Sequence, residues 1–330
     1  MNNNPKISVI MPSFNEINYI EECLKSVVNQ TLKDIEIICV DGESNDGTLE
    51  ILKKYASKDS RIEVYTSDKK SYGHQVNLAL SKAKGEYIGI IETDDFIEED
   101  MFEQLYALTE NGTVDMVKST FYHYNDSDEE NVKITVNDAK KNLKTTEKFT
   151  IKEEPLIVEG HPSVWAGIYR REFLNDNNIK MVEERGGGWV DNPFFYETAI
   201  TAKSIRYIHK PFYYYRESNP DSSSNNFTDF TLPMRRVLDL FDIFEKYGCV
   251  SEEVKRLFYN RLFRYIEIIL ENNELDYRNL DYDTCFYIQK VLKKVDEDFV
   301  KTKMHNNFKI IYYKFISPLF LKRFNEENIN

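Results

Sequence analysis

Residues 6–16 read KISVIMPSFNE, and residues 35–48 read IEIICVDGESNDGT. Each is a short, β-branched apolar run that stops at a polar cluster, the first at Pro12 and the second at Asp41. Between them Ile20, Cys23, Leu24, Val27 and Val28 fall on one helical face. Strand, helix, strand in that order is a β-α-β unit, and uninterrupted apolar runs mark strands covered on both faces. The theme repeats in the apolar runs 62–65 and 87–91, with helical patterns near residues 75–83 and 98–108. The expected fold is therefore α/β, a mostly parallel sheet flanked by helices, whose ligand crevice lies at the carboxyl ends of the strands.

Three polar clusters occupy those strand ends. Pro12-Ser13-Phe14-Asn15-Glu16 offers a flat apolar ring and amide groups suited to a heterocycle, and equally reads as a turn with a helix cap. Asp41-Gly42-Glu43-Ser44-Asn45-Asp46-Gly47-Thr48 places a carboxylate where a base N–H or a ribose hydroxyl can donate, with glycines that admit close backbone approach. Glu92-Thr93-Asp94-Asp95 concentrates three carboxylates in four residues. Their mutual repulsion calls for hydrogen-bond donors or a hard divalent ion shared with substrate phosphate; an acidic helix start is the structural alternative.

Composition narrows the field. The 330 residues suit about two domains at roughly 150 residues each. A net charge of −13, from 43 Lys and Arg against 56 Asp and Glu, has the wrong sign for a nucleic-acid partner. With 41% hydrophobic and 14% aromatic residues the chain is too apolar for an acidic disordered one. Neither a basic, apolar leader nor a run of about 18 apolar residues is visible, so a cytoplasmic protein is expected. Cys23, Cys39, Cys249 and Cys285 lack zinc or redox spacing and read as reduced packing cysteines. Residues 123–155 are polar and charged and read as a surface excursion or a loosely ordered insertion. From about Leu232 the pattern turns helical, with one stripe through Val237, Leu240, Phe241, Phe244 and Tyr247 and another through Val254, Phe258, Leu262, Tyr265, Ile266 and Ile269.

Taken in order, P-S-F-N-E, D-G-E-S-N-D-G-T and G-E-Y-I-G-I-I-E-T-D-D resemble the family-2 glycosyltransferases, inverting enzymes with a Rossmann-like nucleotide-sugar domain of the GT-A type. The resemblance is close over residues 6–110 and looser to about residue 225. It implies a catalytic domain over residues 1–225, with a nucleotide-sugar half at 1–110 and an acceptor half at 111–225, followed by a helical region at 226–330. It also implies that Pro12, Phe14, Asn15 and Asp41 line a uridine site, with Asp41 facing the base. The E-T-D segment stands in place of the family's D-x-D motif. Asp94 is then the ligand of Mn2+ or Mg2+, Glu92 lies near the ribose, and Thr93 and Asp95 fall on the nucleotide-sugar side. Glu92 departs from the usual Asp, and Val76 stands where relatives often carry Arg.

Inverting transfer needs a base for the acceptor hydroxyl and a cation for the departing diphosphate. By the same resemblance Trp189-Val190-Asp191-Asn192-Pro193-Phe194 matches the family's E-D-x-x-F segment, with Asp191 as base and Val190 in place of an acid; a helix cap is the structural reading of Asp191. Trp165 and Trp189 are candidate acceptor contacts, Trp165 being equally readable as core. Tyr213-Tyr214-Tyr215-Arg216, followed by Ser222-Ser223-Ser224, resembles a segment that closes over the diphosphate, which makes Arg216 the candidate phosphate cation. Asn219, Pro220 and Asp221 stand where some relatives have a metal-binding His, and His209 reads as structural. The tail, residues 299–324, holds six Lys and Arg, no acid and many aromatics. It suits a peripheral contact with the inner face of the plasma membrane, or a helix packed on the protein or at a subunit contact, with Pro318 interrupting the pattern.

The activity so implied is transfer of a sugar from a UDP-sugar to a surface glycan or lipid-linked oligosaccharide. Two rivals remain. A nucleotidyltransferase shares the sheet and the metal-binding carboxylates, but P-S-F-N-E-I-N lacks the Gly-rich basic loop that grips a triphosphate. A non-catalytic nucleotide-sugar-binding subunit would bind UDP without turnover.

Overall fold

The structure is a computed structural model that describes residues 5–144, 147–222, 228–248 and 251–317. Two compact units divide the chain, Met1–Asn226 and Phe227–Asn330.

In the first unit the opening elements are β1 (Ile7–Ser13), α1 (Ile20–Val28), β2 (Ile35–Asp41), α2 (Thr48–Ala56), β3 (Ile62–Thr66), α3 (Tyr72–Lys82) and β4 (Tyr87–Ile90). Short β5 (Phe96–Ile97) and α4 (Met101–Ala107) follow, then β6 (Met116–Ser119), β7 (Tyr122–Asn125), β8 (Lys133–Val136), β9 (Gly167–Arg170), α5 (Arg171–Asp176), α6 (Asp191–Thr201), β10 (Ile205–Ile208) and β11 (Tyr213–Arg216). A seven-stranded sheet runs in the order β10-β6-β9-β4-β1-β2-β3. It is parallel except at β9, which lies antiparallel between β4 and β6. Every residue of β1, β2 and β4 is buried, as the apolar runs require.

Strand lengths shape the crevice. β1 and β2 stay paired to Ser13 opposite Asp41, whereas β1 and β4 pair only as far as Ile10 opposite Ile90. The step left beyond β4 is where the chain turns through Glu92–Asp95. Pro12 fits there because its backbone faces this step, so its missing N–H costs no ladder bond, and its carbonyl accepts the Thr93 hydroxyl at 3.1 Å.

A second sheet, β5-β11-β7-β8, corrects the expectation for residues 123–155. That stretch contributes β8 and part of β7, and buries Lys140, Leu143, Phe149 and Ile151. Its apolar residues are too sparse to show a period, and their partners lie far away in sequence, as Phe149 does from Ile205.

The second unit is helical: α7 (Leu232–Tyr247), α8 (Glu252–Glu271), α9 (Tyr282–Leu292), α10 (Glu297–Lys303) and α11 (Asn306–Ile316). Val237, Leu240 and Phe241 of the first predicted stripe and the whole of the second are buried. Gly248, at φ +65°, ends α7 in the left-handed conformation that glycine adopts without strain. Cys23, Cys39 and Cys285 are buried, as packing cysteines are, while Cys249 lies outside the described residues. Among the described residues no helix is long and apolar enough to cross a membrane.

Candidate active site

The polar ends of β1 and β2 are tied into one rim. Asp41 is fully buried; its carboxylate accepts the Ser44 N–H at 2.9 Å and the Ser13 hydroxyl at 3.4 Å. Gln75 of α3 donates its amide to the Ser13 carbonyl at 2.8 Å and presses on Gly42, where a Cβ would lie 2.5 Å from the Gln75 Nε2. Asn15, at φ +57°, accepts the Asn45 N–H at 3.0 Å on its side-chain oxygen. Phe14 is left 44% exposed with the Lys70 ammonium 5.2 Å from its ring centre, an open aromatic face beside a buried carboxylate.

Beyond β4 the four-residue cluster splits by direction. Asp95 turns inward, accepting the Tyr213 hydroxyl at 2.7 Å and the Arg216 N–H at 2.7 Å, so it braces the turn rather than facing a ligand. Glu92 accepts the Tyr72 hydroxyl at 2.5 Å and donates its own N–H to Tyr213 at 3.1 Å. Asp94 accepts the Asn219 amide at 3.0 Å. Burial, reinforced by Asp94 and Asp191 against the Tyr72 hydrogen bond, pushes the Glu92 carboxyl up to about 8. Glu16 is pushed up to about 8 in the same way, by burial and then by Asp94, Asp46, Glu92 and Asp221. Burial also raises Asp94. Carboxyls desolvated and crowded to this degree form a site short of positive charge.

The acceptor side begins at the first residue of α6, Asp191, which is part-buried and accepts the Asn192 amide at 3.0 Å. The loop leading to it is fastened to the start of α3: Tyr72 donates its N–H to the Gly186 carbonyl, and Gly186 donates to Lys70, both at 2.9 Å. Trp189 sits part-buried at φ +66° just before the helix. Asp191 and Glu92 are close enough for each carboxylate to act on Tyr72 between them. The structure therefore brings Asp191 to the carboxylates of β4, from almost a hundred positions away in sequence.

Besides Asp95, Trp165 and Arg216 are not presented to a ligand. Trp165 is 3% exposed and stacks on Tyr213 at 4.1 Å and Tyr215 at 5.3 Å, so it is core and not an open platform for a sugar. A ring of that area gains more from two aromatic faces than from solvent. Arg216 is buried with its guanidinium engaged by Glu22, Asp126 and the Asp94 carbonyl, not presented as a bare cation. Its neighbours Ser223 and Ser224 lie outside the described residues. His209 bonds the Leu143 carbonyl at 3.0 Å, a structural contact.

Tyr72, Tyr213, Asn219 and Glu16 belong to the site, although the segments that hold them gave none of the four a role. Period-two alternation held a signal for one of them: Tyr213 and Tyr215 face Trp165, while Tyr214 turns to Phe96 and Tyr122.

Comparison with known proteins bears on the fold and the family. Against an uncharacterized glycosyltransferase, EpsJ, of Bacillus subtilis the chain is 31% identical over 226 residues, covering 66% of this chain and 62% of that one. Against a cholesterol galactosyltransferase of Borreliella burgdorferi it is 33% identical over 217 residues, covering 63% and 59%. The chain thus spans about three fifths of the length of these two relatives. Against the glycosyltransferase GlyG of Streptococcus pneumoniae it is 28% identical, covering 86% of this chain and 95% of that one. In fold it is similar to S. aureus TarS crystallised with UDP-GlcNAc, at a TM-score of 0.74 and 20% identity over 93% of this chain and 86% of that one. Residues 8–177, half of the chain, match glycosyl transferase family 2, and with these strand-end motifs on a GT-A type sheet the chain belongs to that family.

Proposed function

We propose that the protein transfers a sugar, with inversion, from a UDP-sugar to a hydroxyl of a surface glycan or lipid-linked oligosaccharide. The observation that carries this reading is that Asp191, at the start of α6, acts on Glu92 together with Asp94 beyond β4, while Asp41 stands at the end of β2, one strand removed from β4 in the same sheet. The UDP-GlcNAc held by TarS supports a uridine nucleotide, and the exposed face of Phe14 beside Asp41 is suited to uracil.

In the reaction the acceptor oxygen attacks the anomeric carbon from the face opposite the diphosphate. The bond from that carbon to the diphosphate oxygen breaks, and its electron pair leaves with UDP. Asp191, as the carboxylate, takes the acceptor proton. Its place at a helix N-terminus favours that ionised form before attack. Tyr72 holds Glu92 by hydrogen bond, and Asn219 holds Asp94, so both carboxylates have set orientations before substrate arrives.

A divalent ion, Mn2+ or Mg2+, fits this donor set. Among the described residues no group of three His, Cys, Asp or Glu side chains forms a protein cage for one. Magnesium-type sites use one or two carboxylates and draw the remaining ligands from phosphate and water, which Asp94 in a charge-deficient crevice satisfies. When bound, the ion offsets the charge that develops on the leaving diphosphate. Arg216 would add to this if a diphosphate displaced Glu22 and Asp126 from its guanidinium.

For the tail, support for a membrane contact is confined to α11, where Ile310 is 65% and Tyr313 38% exposed. Pro318 and the residues after it lie outside the described residues. A subunit contact through the same face is the alternative, read directly from the oligomeric state in solution.

The test is UDP release from a panel of UDP-sugars with manganese or magnesium, for the wild type, Asp191→Asn and Asp94→Ala. Full transfer by both variants would overturn the assignments. Metal-dependent UDP binding with no turnover on any acceptor would favour a binding subunit.

A further inference from the structure

The chain that leads to Asp191 passes through Gly186, Gly187 and Gly188 and then Trp189. Glycine gives up more conformational freedom on ordering than any other residue, so three in a row leave the approach to Asp191 loosely defined unless the chain is fixed upstream. Residues 181–186 are fixed, along the first two turns of α3. Asn77 exchanges two hydrogen bonds with the Met181 backbone, its amide donating to the carbonyl at 2.9 Å and its side-chain oxygen accepting the N–H at 3.0 Å. Gly73 lets the next residue lie against the helix, since a Cβ there would overlap the Val182 carbonyl. The Glu183 carboxylate then accepts from three donors: the His74 Nδ1 at 3.0 Å, the Lys69 ammonium at 3.0 Å and the Asn77 amide at 3.2 Å. The other ring nitrogen of His74 lies 3.3 Å from the Asp68 carboxylate.

Ion pairs this exposed contribute little to global stability, so the clasp has a local effect instead. Lys69, then Asn77 and His74, hold the Glu183 carboxyl down at about 2, so it is an ionised acceptor at any working pH. The first turn of α3 also reaches the other way. Tyr72 donates its hydroxyl to Glu92 at 2.5 Å and its N–H to the Gly186 carbonyl at 2.9 Å, so one helix end holds both a donor-side carboxylate and the strap. Five residues, at most about 18 Å of chain, lead from Gly186 to Asp191. Downstream, the buried Phe194 and Phe195 seat α6. The glycine run is thus the flexible piece between two anchors.

We propose that Glu183 is a positioning residue for the transfer reaction, clasped by His74, Asn77 and Lys69 so that the strap 181–186 delivers Trp189 and Asp191 to the crevice in one arrangement. This rests on the reading of Asp191 as the base.

The test compares the full chain with Glu183→Ala, His74→Ala and the double variant. The first readout is fluorine NMR of protein carrying 5-fluorotryptophan, whose two resonances are assigned with Trp189→Phe. The second is UDP release from the fastest UDP-sugar of the donor panel, with octyl β-glucoside or water as the attacking hydroxyl. In Glu183→Ala the Trp189 resonance should move or broaden while that of Trp165 stays. Its kcat should fall about tenfold with donor KM within about twofold, a partial loss of alignment. The double variant should be no slower than Glu183→Ala, because both residues act through one contact. Tm should change by no more than about 3 °C; if either single variant fails to fold, the other carries the same readouts. Unchanged kcat in Glu183→Ala, or losses that add in the double variant, would overturn the proposal even if Asp191→Asn abolished transfer. A fall in kcat with a shifted Trp189 resonance, alongside an active Asp191→Asn, would remove Asp191 as base and leave the clasp standing.

Discussion

The two sides of the crevice treat buried charge in opposite ways. On the nucleotide side, Glu16, Glu92 and Asp94 crowd together and are raised above the ordinary carboxyl range. Behind Asp191, on the acceptor side, the buried titratable groups include the amines of Lys118 and Lys140, held by backbone carbonyls and aromatic rings of the protein itself, with burial pushing Lys118 toward its neutral form. One side is left short of counter-charge that a ligand can bring, while the other is partnered from within. Donor binding should therefore change the electrostatics of the first side far more than those of the second.

The sharpest break between the sides is expected from Asp191→Asn, which should lower turnover by about 1000-fold, within the usual range for losing a positioned base, while UDP affinity measured by calorimetry stays within about twofold. Asp94→Ala should do the reverse in kind, weakening metal-dependent UDP binding by about 100-fold and turnover with it. If both variants lost binding alike, the division into a donor carboxylate and an acceptor base would fail.

Smaller effects probe each side's packing. Gly167→Ala should lower stability by about 2 kcal/mol, seen as a drop in Tm, because the new methyl meets both Lys118 and the Val117 carbonyl at 2.6 Å. Phe14→Ala should cost about 1 kcal/mol of UDP binding, the low end for a stacked base, with little change in Tm because the ring is already 44% exposed.

The two sides also differ in how ligand-free stability depends on pH. Glu92 and Glu16 carry folded values of about 8 against an ordinary 4.5, so between those values the folded chain holds more protons than the unfolded one. Stability from these groups is then fullest below the ordinary carboxyl range and declines as pH rises toward 8, the reverse of a salt-bridged carboxylate. Melting curves with and without UDP and manganese check this. The ligands should stabilise more at the upper end of the window, where the carboxyls are ionised.

The nucleotide half was largely legible because its information is local. The β1, β2 and β4 runs show themselves as apolar segments, and each ends on a polar cluster that names the strand end. The same cluster did not reveal that Asp95 faces inward and Asp94 does not, since that depends on Tyr213 and Asn219 arriving from beyond residue 210. Trp165 stayed open between acceptor contact and core, and Arg216 read as a phosphate cation, because sequence shows chemical capacity and not the rings and carboxylates that occupy it. Lys118 gave no signal, lying among ordinary strand residues and distinguished only by a glycine on a neighbouring strand.

By itself the sequence determined the first four strands, the parallel core, the family, and which residues stand at those strand ends, because periodicity and turn chemistry act over a few residues. Only the tertiary structure decided the antiparallel insertion of β9, the meeting of Asp191 with Glu92, and the burial of Lys118 opposite Gly167. Those outcomes depend on desolvation and on charges brought together from distant segments, and neither exists until the chain has packed.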